Sequence, residues 1–415
     1  MRRLWPLTVR GTGALILSLA CFVVAGETAV EELIYFGILL LAVLGASIGS
    51  LYFARRSDVV ARALIPDVAS VGRETLVNVR VGVRTAVPTA PGWWIDTIPK
   101  GLSGSAEGIF PALGSGLRGN ERVVELSYPV RGEKRGVHYL GPLSVRSTDP
   151  FGLARRSNVF GQRTAVTVAP AMVDLPPLID YAGAAGGTLH TTTHQLGQGA
   201  DNLVARPYVP GDSMRRIHWR ATAHRDALMV RQEEQESTPE ASVVIDRSAL
   251  RWGAEAMSAP GEDPGFEAAV VACVSVVARL VHDGYAVDVL DTDGTVLVER
   301  IDGGDMTEVD VMLAQFATLI ARRDDTLARL PRLFGGVFTG PIILIVGRFD
   351  LADAEAVAPV AQHSSLPLVF AVAPVGDALE RAAFSGWHIG VIDPGADLAV
   401  AWSSAVGRGT NHALV

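Results

Sequence analysis

The chain has 415 residues, 49% of them hydrophobic, and a net charge of −8 at pH 7. That charge leaves no basic footprint for nucleic acid. Its two cysteines, Cys21 and Cys273, exclude the disulfide framework that staples small secreted domains.

The N-terminal region reads as membrane-spanning. Gly11 to Gly26 carries no charge over 16 residues, and Leu33 to Ala54 none over 22. At about 1.5 Å per residue the second run crosses a hydrocarbon core of about 30 Å, while the first needs help from its flanks. Glu27, Glu31 and Glu32 lie between the runs; Arg2, Arg3 and Arg10 precede them, and Arg55, Arg56 and Arg62 follow. Positive-inside reasoning therefore predicts a two-helix, multi-pass anchor over residues 1–54 in the cell membrane, with the body cytoplasmic. The first run followed by Val24-Ala25-Gly26 also fits a cleavable signal peptide, which would leave one helix and export the body.

Residues 55–170 predict an all-β, sandwich-like domain. Thr75 to Arg84 alternates apolar and polar residues with period two, and Arg122–Val130, Leu143–Arg146 and Ala165–Val168 continue the pattern. Trp93 and Trp94 follow Pro91-Gly92 and read as core or turn packing. Gly114-x-Gly116-x-x-Gly119 imitates a dinucleotide fingerprint but opens no helix, so it reads as a hairpin loop.

Residues 171–240 form a joining segment. Pro176-Pro177 and the glycines after Gly183 read as exposed linker, and His190 and His194 within it lack further ligands for zinc. Then comes Arg206-Pro-Tyr-Val-Pro-Gly-Asp-Ser-Met-Arg-Arg-Ile-His-Trp-Arg-Ala-Thr-Ala223. Pro210-Gly211 predicts a turn, and Asp212 an N-cap for a short helix from Ser213. Helical spacing would pair Asp212 with Arg216 and set Arg215 against Trp219. The segment reads either as a self-satisfied cap or as a docking surface for an acidic partner.

Residues 241–415 predict an open α/β sheet. Ser242–Asp246, Tyr285–Leu290, Thr295–Val298, Pro341–Val346, Pro367–Val372 and His388–Ile392 are short apolar runs of strand length. Helical stretches over Phe266–His282, Met306–Arg322, Leu351–Gln362 and Gly376–Phe384 separate most of them. Asp246, Ser248 and Asp350 fall at the carboxyl ends of strands, where such sheets carry their working groups.

The signature quoted above, with Arg206, Tyr208, Gly211, Asp212, Arg216, Ile217 and Trp219, resembles that of the domain of unknown function 58 family. Asp149-Pro150-Phe151-Gly152-Leu153 resembles a second recurrent motif of the same family. The resemblance implies a bacterial membrane protein with a β domain and a von Willebrand A-like α/β domain (an open Rossmann-type sheet). It also implies a MoxR-type AAA+ ATPase as partner. A metal-ion-dependent adhesion site in such a domain resembles Asp-x-Ser-x-Ser, with a threonine and an aspartate from later loops. Here Asp246-Arg247-Ser248-Ala249-Leu250 replaces the second serine, Arg247 brings a cation, and Asp350 comes late after its strand. Those oxygen ligands would suit Mg²⁺, but the degenerate pattern favours a domain without cofactor.

No P-loop, Ser-centred elbow or Cys–base pair is present, so the chain reads as non-enzymatic. The expectation is a scaffold held at the lipid bilayer, with metal-dependent ligand binding or adhesion as the alternative.

Overall fold

A computed structural model describes residues 6–53, 56–83, 90–113, 122–178, 203–208, 214, 217–225, 227–233, 239–335 and 339–407. The chain divides into two compact units. One holds residues 1–171 with 258–262 and 313–320; the other holds 172–257, 263–312 and 321–415.

The first unit opens with two apolar helices, α1 (Val9–Thr28) and α2 (Glu31–Phe53), both long and apolar enough to cross a membrane. The first is not short. Its 20 residues take in Val9 and Arg10 at one end and Glu27 and Thr28 at the other, so it reaches about 30 Å. Ala29 in left-handed geometry ends it, and its N–H returns to the Ala25 carbonyl. Small residues let the two helices approach: buried Ser18 donates from Oγ to the Gly37 carbonyl at 2.9 Å, and Phe22 lies over Gly37.

Eleven strands follow: β1 (Arg56–Ile65), β2 (Ala69–Ser70), β3 (Glu74–Val83), β4 (Gly92–Asp96), β5 (Leu102–Gly104), β6 (Glu107–Phe110), β7 (Arg122–Gly132), β8 (Gly136–Leu140), β9 (Leu143–Thr148), β10 (Arg155–Phe160) and β11 (Thr164–Ala169). They form sheets ordered β1-β3-β7-β5, β10-β9-β4-β6 and β2-β11-β8. The alternation in β3 does what its period demands: Val77, Val79 and Val81 are fully buried while Glu74 and Arg80 face out. On β4 the same alternation splits the tryptophans, so Trp94 packs on Tyr128 at 5.6 Å and Trp93 stays exposed. The Gly114–Gly119 string lies outside the described residues.

A buried ion pair sits in this core. Asp96, at the end of β4, accepts two bonds from Arg62 (2.9 and 3.0 Å) and one from the Tyr128 hydroxyl at 2.7 Å. Both charged side chains are fully buried. Arg62 is thus a core residue rather than a free flanking charge of the anchor. Burial first, then the adjacent carboxylate, pushes the Tyr128 hydroxyl pKa up.

In the second unit a hairpin of β12 (Leu203–Pro207) and β13 (Met229–Glu233) encloses α3 (Trp219–Arg225). The rest alternates β14 (Glu240–Ile245), α4 (Pro264–His282), β15 (Ala286–Asp291), β16 (Val296–Ile301), α5 (Met306–Phe316), α6 (Leu330–Phe334), β17 (Ile342–Phe349), α7 (Leu351–Val357), β18 (Pro367–Pro374), α8 (Ala378–Phe384), β19 (His388–Val391) and α9 (Leu398–Gly407). The end of α5, from Leu313, clusters with the first unit. The six strands β14 to β19 order as β16-β15-β14-β17-β18-β19, parallel except for β16. Parallel strands sheltered on both faces need continuous apolar runs, and Val243, Val244 and Ile245, like Ile342 to Val346, are fully buried.

Several expected boundaries move. The helix expected over Met306–Arg322 stops at Phe316, and that over Leu351–Gln362 passes into a 3₁₀ turn after Val357, where Pro359 lacks the N–H to continue. Leu175 and Leu178 are buried and the Pro176 carbonyl accepts from Trp402 Nε1 at 3.0 Å, so the joining segment begins packed rather than exposed. α4 is also apolar enough to cross a membrane, but two thirds of it is buried, so it is a core helix. Cys273 lies within it, fully buried, its thiol pKa pushed up by desolvation. His190 and His194 lie outside the described residues.

Removing the Asp96 carboxylate would leave a buried guanidinium unpaired. Asp96→Ala is expected to cost about 3–5 kcal/mol and Tyr128→Phe about 1 kcal/mol, read from denaturant unfolding of the full chain in detergent.

Candidate functional site

β14 and β17 are neighbours in space, yet the chain proceeds from β14 outward to β15 and β16 before returning. This is the point where strand order reverses, and the carboxyl ends of the two strands open the crevice in which α/β sheets hold their reactive groups. Asp246 follows β14 directly. It is fully buried, donates its N–H to the Ile345 carbonyl at 2.9 Å, and accepts at Oδ1 from the Ser248 N–H at 2.8 Å. Trp252 Nε1 donates to the Asp246 carbonyl at 3.0 Å, fixing the turn from outside.

The chain then makes a 3₁₀ turn over Ala249–Arg251, which brings Arg251 back over the strand end. Its guanidinium meets three carboxylates. Nε stands 2.8 Å from Asp246 Oδ2, Nη1 donates to Asp353 Oδ2 at 2.5 Å, and Nη2 reaches both oxygens of Asp325 at 3.1 and 3.2 Å. Arg251 is only 10% exposed at the side chain, and its pKa is raised: burial works against the cation, but Asp353, Asp246 and Asp325 prevail. Its contact with Asp246 is one of charge rather than an aligned hydrogen bond, since Asp246 Oδ2 and Arg251 Nε make no hydrogen bond among the described residues. Desolvation therefore dominates at Asp246 and pushes its pKa up to about 7.

A second network lies beside the first. Asp291, at the end of β15, accepts from Arg247 Nε at 2.7 Å and has Arg322 Nε at 3.2 Å as a charge contact, while Arg322 Nη2 lies 2.7 Å from Asp293. Thr292 and Thr326 hydroxyls, both buried, pair at 2.7 Å. Arg247 thus serves Asp291, and the cation at Asp246 is Arg251, which sequence reading passed over. The signal was there: an aspartate at a strand end, a turn and an arginine five residues on. Neither Asp325, noted only beside Thr326 as a candidate threonine of a metal site, nor Asp353 was marked as a partner of Arg251, because only the fold brings them within reach.

The candidate metal ligands are placed apart in role. Asp246 faces Arg251. Ser248 Oγ is buried without a hydrogen bond among the described residues. Asp350 caps α7: its Oδ1 accepts from Ala352 and Asp353 N–H at 3.1 and 3.2 Å, and Asp353 returns a bond to the Asp350 N–H at 2.9 Å. Leu250, in place of the second serine, is exposed. Among the described residues no group of three or more His, Cys, Asp or Glu side chains is arranged to hold a metal ion. Asp246, Asp325 and Asp353 together enclose the Arg251 guanidinium.

Of the signature residues, Arg206 lies in β12 opposite Val230, and the Tyr208 N–H donates to the Leu228 carbonyl at 2.8 Å. Ile217 is buried and bridges to Val230. Gly211, Asp212 and Arg216, with the expected cap and pairings at Asp212 and Arg215, lie outside the described residues. Sequence reasoning starts the short helix at Ser213; among the described residues the α-helix is α3, from Trp219. His218 starts it, its Nδ1 accepting from the Ala221 N–H at 3.1 Å. No residue of α3 is buried, and Trp219 on its first turn is 68% exposed, with Met214 before it similarly open.

These features define an α/β protein with ion-paired carboxylates along a strand edge and a short exposed helix, in a chain whose first two helices are apolar. Residues 204–312, about a quarter of the chain, match the family described as "Protein of unknown function DUF58". The match runs from β12 through the signature to α5 and supports the resemblance drawn from the motifs. Comparison with curated proteins gives no match.

Asp246 sets a pH dependence. Its folded pKa of about 7 lies above the ordinary 3.8, so the folded state holds this proton more tightly than the unfolded chain. Its contribution to stability is complete below about pH 4 and declines as pH rises to about 7, by at most about 1.4 kcal/mol per unit. Asp246→Asn is expected to flatten that decline, measured as the difference in unfolding temperature between pH 5 and pH 8. Arg251→Met is expected to cost about 3–5 kcal/mol at pH 8 and less at pH 5, where Asp246 is protonated.

Proposed function

We propose that the chain is a membrane-anchored, non-enzymatic scaffold whose signature segment docks a cytoplasmic protein partner, a MoxR-type AAA+ ATPase. The observation that carries this reading is the exposed Trp219 on a helix that buries nothing of its own. A large, rigid aromatic left in solvent beside arginines has the character of an interface hot spot rather than of a fold element. The partner class comes from the family resemblance.

The scaffold reading also draws on the strand edge. The six-stranded order with its one antiparallel edge strand supports a von Willebrand A-like sheet, and the three sheets of the first unit are read as a β-sandwich-like domain. In the α/β sheet the place of a ligand-bound cation is taken by Arg251. We read the domain as working without metal and without catalysis, its crevice closed by an internal ion-pair cage.

Binding of the ATPase to the full chain in nanodiscs tests the docking role. Trp219→Ala is expected to weaken it at least 30-fold, the loss of about 2 kcal/mol that marks a hot spot, with Asp212→Ala and Arg216→Ala weakening it as well. Unchanged binding by all three variants would sink the docking role. Titration with Mg²⁺ and Mn²⁺ is expected to release no heat at millimolar metal, and a saturable signal would restore the adhesion-type alternative. Protease added to sealed inside-out vesicles is expected to digest the body, and protection there would place it on the other side.

A further inference from the structure

The Asp149–Leu153 motif is tied to the start of the first apolar helix. Asp149 is almost fully buried and folds the loop on itself, its carboxylate accepting from the Phe151 N–H at 2.9 Å and the Ala154 N–H at 2.6 Å. Gly152 takes a positive φ of 71°, which turns its carbonyl toward Thr8. Thr8, the N-cap of α1, donates from Oγ1 to that carbonyl at 2.6 Å and from its N–H to the Leu153 carbonyl at 2.9 Å. The Arg155 N–H bonds the Pro6 carbonyl at 2.7 Å, and Leu7 bridges to Ala154, both buried. A side chain at Gly11 would collide with the Leu153 carbonyl, so the loop lies directly on the first turn of the helix.

The other apolar helix is held at the same place. Arg156 donates to the Leu51 carbonyl at 3.1 Å, one of the last carbonyls of α2, and its guanidinium stacks 4.2 Å from the Tyr52 ring. The loop therefore sits level with the N-terminus of one helix and the C-terminus of the other. With α1 about as long as the hydrocarbon core is thick, Thr8 marks the boundary between acyl chains and headgroups. At that level Phe151 is 65% exposed, and Arg10 and Arg155 are exposed beside it. Its backbone is committed to Asp149 while its ring is left largely exposed.

We propose that this loop is a second membrane contact of the body: Phe151 enters the interfacial layer of the bilayer, and Arg10 and Arg155 face its lipid phosphates. Aromatic rings with neighbouring cations at headgroup depth are the usual interfacial anchors. The contact would fix the first unit against the membrane surface instead of leaving it on a tether. The inference rests on the reading of α1 and α2 as membrane-spanning.

The test uses the full chain in vesicles of phosphatidylcholine and phosphatidylglycerol at three to one. Single cysteines at Phe151→Cys, Leu39→Cys and Asp67→Cys carry an environment-sensitive fluorophore; native Cys21 and Cys273 are buried and resist labelling. Phe151→Cys keeps the loop, because Asp149 holds the backbone of that residue and not its ring. Leu39 is an exposed α2 residue, and Asp67 is an exposed residue beyond the far end of β1, about 33 Å along the strand at 3.3 Å per residue. Lipids bearing a nitroxide high on the acyl chain are expected to quench position 151 at least threefold more than position 67. Deep nitroxides are expected to quench position 39 most. Equal quenching at 151 and 67 with strong quenching at 39 overturns the contact and leaves the anchor standing. Loss of quenching at 39 overturns the anchor and the contact together.

Discussion

The carboxyl edge of the α/β sheet is organised by one guanidinium. Arg251 is enclosed by carboxylates from three separate stretches of chain: Asp246 after β14, Asp325 in the loop before α6, and Asp353 in the first turn of α7. A cation there cross-links parts of the sequence about a hundred residues apart. Arg247 and Arg322 repeat the arrangement around Asp291 and Asp293.

Such a cage has an energetic consequence. Burying charges costs several kcal/mol each, and the return depends on geometry. Asp246 shows the balance at its limit: its Oδ2 lies beside a cation but makes no aligned bond, and desolvation prevails. Asp96 in the first unit shows the opposite balance, with a two-pronged arginine, a tyrosine hydroxyl and the Thr97 N–H all directed at one carboxylate. One buried ion pair is fully satisfied and fixes two strands. The other is strained in charge and responds to pH.

The two apolar helices and the β region are joined by backbone bonds rather than by apolar packing alone. Thr8 and Arg156 use the groups that helices leave unpaired at their ends, the first N–H groups of α1 and the last carbonyls of α2. The motif that resembles a family signature, Asp149 to Leu153, is the part of the β region that makes this join. Its buried aspartate and its positive-φ glycine are structural; its exposed phenylalanine is not. The same division holds in the longer signature, where Ile217 is buried and Trp219 is not.

Periodicity and hydropathy, which are local properties, made much of this architecture legible in the sequence. The apolar runs over Gly11–Gly26 and Leu33–Ala54, the alternation of Thr75 to Arg84 and the buried-type strands from Ser242 to Ile392 all occur as elements near their expected bounds. Ends were less legible, because they depend on partners: α1 recruits Val9, Arg10, Glu27 and Thr28, and α9, which its spacing did not mark, packs Trp402 on Phe370. The candidate site was only half legible. Asp246 and Ser248 were marked by their place after a strand, whereas Asp325 and Asp353 reach Arg251 only once the sheet is ordered. Asp350, expected near the same centre, is bound instead to the helix it caps. The sequence by itself determined which segments are apolar helices and where the main strands run, since those follow from spacing along the chain. Which charge neutralises which was decided only by the tertiary structure, because a Coulomb partner is chosen by distance in space and by the water that burial removes.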